Sequence, residues 1–193
     1  MPIPVRRRRR WPRVMLVLTL LGVFCCCGLP GYYLWPAWQQ YPAQPAEPLP
    51  QQVRDLSLQD DRDGKQVVGD LKADLRARNW LAEGTFAAVY RDGSGKRVTI
   101  FGTTGFRFNP ESDVTKELDE LRDQYHLGAT EPVETGVRGE YRGCTTGRED
   151  GESVVLCTTA DHGSLVTGLF TRRSLDESAE LLDAMRAELV LRQ

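Results

Sequence analysis

From Val67 onward, segments whose hydrophobic residues have the spacing of a helix alternate with segments that have the spacing of a strand. The first helical stripe consists of Val67, Val68, Leu71 and Leu75. Two strand-like runs follow at 85–90 and 97–101, and the turn-forming residues 92–95 between them predict a hairpin. The chain therefore enters its folded part as a helix followed by two antiparallel strands.

The pattern then repeats with a second helix, a group of strands and a last helix. Asn109 is a favoured helix cap and Pro110 suits a first helical turn, while Ser174 and Glu177 form a capping box. Three strand candidates lie between these helix starts, at roughly 139–147, 153–160 and 165–171. The order α-β-β-α-β-β-β-α predicts an α+β fold, with an antiparallel sheet of about five strands and the helices packed on one face.

The turn between two of these strands also predicts a disulfide bond. Asp150-Gly151 is a preferred centre for a two-residue type I′ hairpin, and a hairpin centred there places Cys144 opposite Cys157. That pair falls on a non-hydrogen-bonded site, where Cα atoms lie about 4.5 Å apart, within reach of a disulfide. In this register Glu149 faces Glu152, a small like-charge penalty.

The N-terminal part has a different pattern, an uncharged stretch from Val14 to Leu29 flanked by aromatic residues. Counted over 14–35 it would make a helix of about 33 Å, enough to cross a bilayer core of about 30 Å. We therefore predict one transmembrane helix preceding the fold; a cleaved signal peptide is the alternative. The predicted topology determinants, which place residues 1–13 in the cytoplasm, are Arg6, Arg7, Arg8, Arg9, Arg10 and Arg13.

These assignments divide the chain into four parts. A basic cytoplasmic tail at 1–13 precedes the transmembrane helix at 14–35, and five prolines in 36–52 predict an extended linker. An extracytoplasmic α+β domain is predicted at 53–193. The expected location is the plasma membrane, as a single-pass protein with its C-terminal domain outside, where a disulfide can form.

Charge is distributed unevenly and excludes one class of partner. The 193 residues include 25 basic and 27 acidic side chains, yet no acidic residue occurs before Glu47. The outer domain is therefore acidic, and nucleic acid is not expected as a partner because phosphate binding requires clustered Lys or Arg. The expected partners are the membrane and another membrane or cell-envelope protein.

No motif predicts a catalytic, cofactor or metal site. Residues 59–70 depart from a calcium loop at two ligand positions, so a polar helix start is the better interpretation. Asp161-His162-Gly163-Ser164 contains the residue types of a hydrolase triad, but neighbours in a tight turn cannot face one another as a triad requires. Trp80 is interpreted as a core residue.

Three segments resemble a group of uncharacterised, membrane-anchored actinobacterial proteins with a small disulfide-bearing outer domain. The segments are Phe86–Tyr90, Arg97–Gly102 and Cys157–Ser164. Relatives of this kind often carry Trp where this chain has Thr159. The resemblance covers about Trp80 to Val190 and implies an extracytoplasmic placement, but it implies no activity.

Three functions therefore remain open. The first is a non-enzymatic binding or interaction module displayed outside the cell. The second is a cell-envelope enzyme similar to cysteine transpeptidases, using Cys157, His126 and Arg172, although the expected flanking motif is absent and Cys144 would quench the thiol. The third is a structural subunit of a membrane complex.

Overall fold

The computed structural model describes residues 11, 15–19, 29–79 and 81–192. By its internal contacts the chain divides into two units, residues 1–35 and residues 36–193. In the first unit residues 15–19 are helical. The helices that follow in chain order are α1 (Leu29–Gln40), α2 (Arg62–Arg78), α3 (Pro110–Leu121) and α4 (Leu175–Leu189).

The second unit is built on antiparallel strands. In chain order these are β1 (Ala43–Pro45), β2 (Gln52–Val53), β3 (Leu56–Leu58), β4 (Gly84–Arg91), β5 (Arg97–Thr104), β6 (Glu131–Pro132), β7 (Tyr141–Glu149), β8 (Glu152–Ala160), β9 (Ser164–Thr171) and β10 (Val190–Arg192). Eight of them form one sheet in the order β2-β3-β4-β5-β9-β8-β7-β6, and β1 pairs with β10 in a separate two-stranded sheet.

The prediction of a five-stranded sheet is therefore wrong, although the α+β class is right. The five predicted strands are β4, β5, β7, β8 and β9, which occupy adjacent places in the order of the large sheet. The missed strands β2, β3 and β6 contain only two or three residues each. Such short segments show no alternation that a sequence pattern could reveal.

The helices cover both faces of the sheet, so the prediction of one covered face is also wrong. On one face Phe86, Ala88 and Tyr90 of β4 belong to the same buried cluster as Leu182 and Met185 of α4. On the other face the alternate residues Ala87 and Phe101 pack with residues of α2 and α3. Strands buried on both faces read as continuous apolar runs, and β4 has such a run at 86–90.

The predicted transmembrane helix needs correction as well. Among the described residues no helix is long and apolar enough to cross a membrane. Residues 12–14 and 20–28, and with them part of the predicted span at 14–35, lie outside the described residues, as do Arg6–Arg10 and Arg13.

The whole proline-rich segment at 36–52 lies within the second unit. Ala43–Pro45 pairs with β10 at the C-terminal end, and the Ala46 N–H donates to the Leu189 carbonyl at 2.8 Å. Ala43 is only 1% exposed. The segment expected to be an extended linker thus supplies core residues and a strand, because pairing with the C-terminal strand satisfies its backbone.

The β7–β8 hairpin has the predicted register and the predicted disulfide. Glu149 stands opposite Glu152 and Cys144 opposite Cys157, with the two cysteine Cα atoms 4.1 Å apart and the sulfur atoms bonded. Asp150 and Gly151 have φ values of 50° and 83°, as a type I′ turn requires. Arg97 contacts Glu149 at 2.6 Å, which offsets the repulsion between the two glutamates.

A candidate binding cleft at one end of the sheet

Three connections meet at one end of the sheet and build the candidate site. They are the α2–β4 loop (79–83), the β5–α3 loop (105–109) and the β8–β9 turn (161–163). The Gly105 N–H donates to the Gly163 carbonyl and the Arg107 N–H to the His162 carbonyl, both at 3.0 Å. Backbone hydrogen bonds therefore fix two of the loops to each other.

Asp161 holds the β8–β9 turn in shape. Its Oδ1 accepts from the backbone N–H groups of Gly163 and Ser164, both at 2.8 Å. Its Oδ2 accepts from the guanidinium groups of Arg186 and Arg192. The Asp161 carboxylate is fully buried. Because Arg186 belongs to α4 and Arg192 to β10, Asp161 links the turn to both elements.

The same turn receives the end of α1. The Gln40 side-chain oxygen accepts from the His162 N–H at 3.1 Å, and its amide donates to the Arg138 carbonyl at 2.9 Å. A Cβ atom at Gly163 would lie 2.0 Å from the Gln40 carbonyl oxygen. Position 163 therefore needs glycine so that the end of α1 can approach the turn this closely.

The geometry of this turn also explains why its residues do not form a triad. His162 Nδ1 lies 2.8 Å from the Arg107 carbonyl oxygen, so the imidazole is held by the β5–α3 loop. The Ser164 hydroxyl donates to Asp161 at 3.1 Å. The serine and the aspartate thus interact directly, without the histidine between them that a nucleophilic triad needs.

Apolar side chains, most of them exposed, form a group at this end of the sheet. The Phe106 ring meets the rings of Tyr41 and Phe108 edge to face, with centroids 5.5 and 4.8 Å apart, and stacks on His162. Phe108 is 89% exposed and Leu81 is 74% exposed. We call Tyr41, Leu81, Phe106 and Phe108 the apolar rim. Grouped exposed apolar residues of this kind mark interaction sites.

Two cavities open beside the apolar rim. The smaller, of about 260 Å³, is lined by Leu81, Phe106 and Phe108 together with polar residues. The larger, of about 740 Å³, lies between β1, the end of α2 and the start of β4. Asn79, Ala82 and Thr104 line both cavities, so we treat the two as one cleft.

Buried polar atoms lie along the floor of the cleft. Within the described part of the chain, Thr104 Oγ1 and Arg107 Nε are buried and have no hydrogen-bond partner. The other nitrogens of Arg107 contact Asp113 at 3.0 Å and Thr103 Oγ1. A buried polar group without a partner costs about 1–3 kcal/mol, so a ligand atom that bonded the Thr104 hydroxyl would remove this cost.

A buried carboxyl group, that of Glu117, lies near the C-terminal end of α2. Glu117 of α3 is 5% exposed, and Arg78 approaches it at 3.6 Å. Burial raises the pKa of the Glu117 carboxyl above its ordinary value, and the Arg78 guanidinium offsets part of this shift. Arg78 also contacts Glu120 at 2.8 Å. Arg78 is thus shared among acidic groups and is not available to an anionic ligand.

The residues considered for enzymatic chemistry lie apart from this cleft. Cys157 is fully buried and bonded to Cys144. His126 and Arg172 are exposed loop residues with positive φ values of 47° and 54°. Asp61 caps α2 by accepting from the Gly64 N–H at 2.8 Å. Among the described residues no group of three His, Cys, Asp or Glu side chains could hold a metal ion.

The sequence reasoning missed the cleft. Phe106 and Phe108 alternate around Arg107 just after a strand, and this Phe-Arg-Phe pattern in a loop is the one signal that could have identified the apolar rim. Trp80, interpreted as a core residue, lies outside the described residues.

Comparison with protein-family models, with curated proteins and with solved structures finds no match for this chain. The resemblance to membrane-anchored actinobacterial proteins accordingly stays a prediction, and the geometry of the cleft is what supports a function.

Proposed function

We propose that this protein is a non-enzymatic binding module of the extracytoplasmic compartment and that the cleft is its binding site. The observation that carries the proposal is the pairing of an exposed apolar rim with a floor of buried, unpartnered polar atoms. Ligand sites combine these two features, because apolar walls supply affinity and a few polar groups supply orientation.

The buried disulfide supports the extracytoplasmic part of this proposal. A Cys144–Cys157 bond persists in an oxidising compartment and is rare in the cytosol. The run of arginines followed by apolar residues at 14–29 favours association of the chain's start with the plasma membrane. The partner is then expected to be a component of the cell envelope.

The enzymatic alternative is less well supported. A cysteine transpeptidase needs a free thiolate, and Cys157 is bonded to Cys144 in the core of the sheet. The third alternative, a structural subunit, would use the apolar rim as a protein contact, so the identity of the bound molecule separates it from a ligand-binding module.

Photo-crosslinking in the native host tests the proposal. We would replace Phe108 with benzoylphenylalanine in the full chain and use the same replacement at Val67, a 41% exposed residue of α2, as the control. A specific product from position 108 that is absent at position 67 is expected. Equal yields from both positions would contradict the proposed site.

A further inference from the structure

We propose that the cleft binds a neutral, polyhydroxylated ligand, namely a glycan of the cell envelope. This inference rests on the proposed function, because it names the class of ligand for the same cleft. The inference is based on the hydrogen-bonding groups and the charge of the side chains that line the larger cavity. It is also based on the position of Thr104 and on the aromatic rings of the apolar rim.

The larger cavity is lined mainly by groups that form hydrogen bonds. Gln44, Arg76, Asn79 and Thr85 supply amide, guanidinium and hydroxyl donors, and Glu47 supplies a carboxylate acceptor. Each hydroxyl of a sugar can both donate and accept. A wall that mixes donors and acceptors therefore fits a ligand with many hydroxyl groups better than it fits a purely apolar one.

The charge of the larger cavity disfavours an anionic polymer. Among the described side chains that line it, Arg76 is the single basic residue, and Glu47 and Glu83 are acidic. Teichoic acids, nucleic acids and sulfated glycans need clustered cations to offset their charge. A neutral glycan does not carry that requirement.

Thr104 provides an independent indication of a ligand. It is 1% exposed, it lines both cavities, and its Oγ1 has no hydrogen-bond partner within the described residues. A ligand hydroxyl at the junction of the cavities would supply the missing partner. The neighbouring Thr103 hydroxyl, by contrast, already accepts from Arg107.

The rings of the apolar rim suit the other side of a sugar. The Tyr41 hydroxyl donates to Glu83 at 2.8 Å, which fixes Tyr41 to a residue that lines the larger cavity. The C–H faces of a pyranose are apolar and pack against aromatic surfaces. Leu81, Phe106 and Phe108 line the smaller cavity. The rim can therefore pack against the apolar face of a sugar unit that extends from the polar wall of the larger cavity into the smaller one.

The size of the larger cavity fits an oligomer. Its volume of about 740 Å³ lies within the range of about 300–1,000 Å³ for ligand sites. An extended peptide is the competing ligand of similar size. Peptides that add to a sheet are bound through the backbone of an open strand edge, whereas the wall here presents side-chain amide, guanidinium and carboxylate groups.

Binding measurements on the full purified chain test the inference. The probes are an array of neutral cell-envelope glycans that includes the β-1,4-linked tetramer of N-acetylglucosamine, polygalacturonate as an anionic glycan, and a library of extended peptides. We expect saturable binding of a neutral glycan. Arg76→Ala and Thr104→Val should each weaken it roughly tenfold or more, since each removes a hydrogen-bonding partner of the ligand.

Two matched variants control for general effects. Arg62→Ala removes an exposed arginine at the other end of α2. Thr99→Val makes the same change as Thr104→Val at a residue earlier in β5. Both should retain the affinity of the unaltered chain. Equal weakening by all four variants would overturn the assignment of the glycan to this cleft.

The remaining outcomes separate this inference from the proposed function. If no neutral glycan binds while position 108 still gives a specific crosslink, the ligand class is wrong and the binding module stands. Binding of peptides or of polygalacturonate in place of neutral glycans also overturns the ligand class. If neither a glycan nor a crosslink is found, both the inference and the proposed function fail.

Discussion

Asp161 and Arg186 form a buried ion pair that joins the β8–β9 turn to α4. Asp161 is fully buried and Arg186 is 6% exposed. Arg186 also contacts Glu140 at 2.6 Å, and Glu140 contacts Arg142 at 3.3 Å. The pair thus belongs to a chain of alternating charges that supports the loop next to the cleft.

Asp161→Asn is expected to destabilise the fold strongly. The amide cannot compensate the positive charges of Arg186 and Arg192, so we expect a loss of about 3–5 kcal/mol in the free energy of unfolding. Urea denaturation followed by circular dichroism measures it. Asp150→Asn, in the exposed β7–β8 turn, is the control and should change stability by less than about 0.5 kcal/mol. Similar losses for the two variants would show that the ion pairs of Asp161 with Arg186 and Arg192 add nothing to the free energy of unfolding.

Removing the disulfide is expected to destabilise the domain and leave its sheet intact. Cys144 and Cys157 are 13 residues apart, and a crosslink closing a loop of that size contributes about 3 kcal/mol, largely by restricting the unfolded chain. We expect the Cys144→Ala/Cys157→Ala variant to lose roughly that amount in urea denaturation. Dithiothreitol should lower the free energy of unfolding of the unaltered chain and should not change that of the double-alanine variant. Equal sensitivity to the reductant would refute the bond.

Replacement of Gly151 tests the type I′ turn of the β7–β8 hairpin. Its φ of 83° is unfavourable for any residue with a Cβ, so Gly151→Ala should cost about 1–2 kcal/mol of stability. Gly93 lies in the β4–β5 turn, and a Cβ there would meet no atom within 4 Å. Gly93→Ala should therefore be nearly neutral. If thermal unfolding gave the two variants the same midpoint, the positive φ at 151 would be wrong.

The features that the sequence predicted depend on neighbouring residues, whereas the features that it did not predict depend on contacts between segments far apart in the chain. The register of β7 and β8 followed from Asp150-Gly151, because a two-residue turn determines which residues pair. The pairing of β1 with β10 joins residues about 150 positions apart and leaves no local signal. Phe106 and Phe108 form part of a site only because Tyr41 and Leu81 are brought to them from other loops.

Acidification is expected to favour the fold through Glu117. Burial raises the pKa of this carboxyl in the folded chain, so the folded state binds the proton more tightly than the unfolded state, whose Glu pKa is about 4.3. The contribution of Glu117 to stability is therefore greatest below the unfolded pKa and declines as the pH rises through the folded pKa.

A neutral side chain at position 117 should remove this decline. We expect the free energy of unfolding of Glu117→Gln to rise relative to the unaltered chain as the pH increases from about 4 to about 7. Urea titrations at several pH values measure the difference. Glu180→Gln, at an exposed site on α4, controls for the loss of one negative charge. A difference that fell with increasing pH would show that the Arg78 contact outweighs burial.

Thr104→Val is expected to stabilise the ligand-free protein while it weakens binding. Valine has nearly the shape of threonine and removes the buried Oγ1 atom that has no partner within the described residues. The gain in the free energy of unfolding should be about 1 kcal/mol, because an unsatisfied hydroxyl is replaced by a methyl group. Thr158→Val is the control at a buried threonine whose hydroxyl has a partner, the Thr167 hydroxyl at 3.0 Å. Removing that hydroxyl should destabilise the fold. If Thr104→Val instead lost stability, its hydroxyl would have a partner inside the protein and could not be reserved for a ligand.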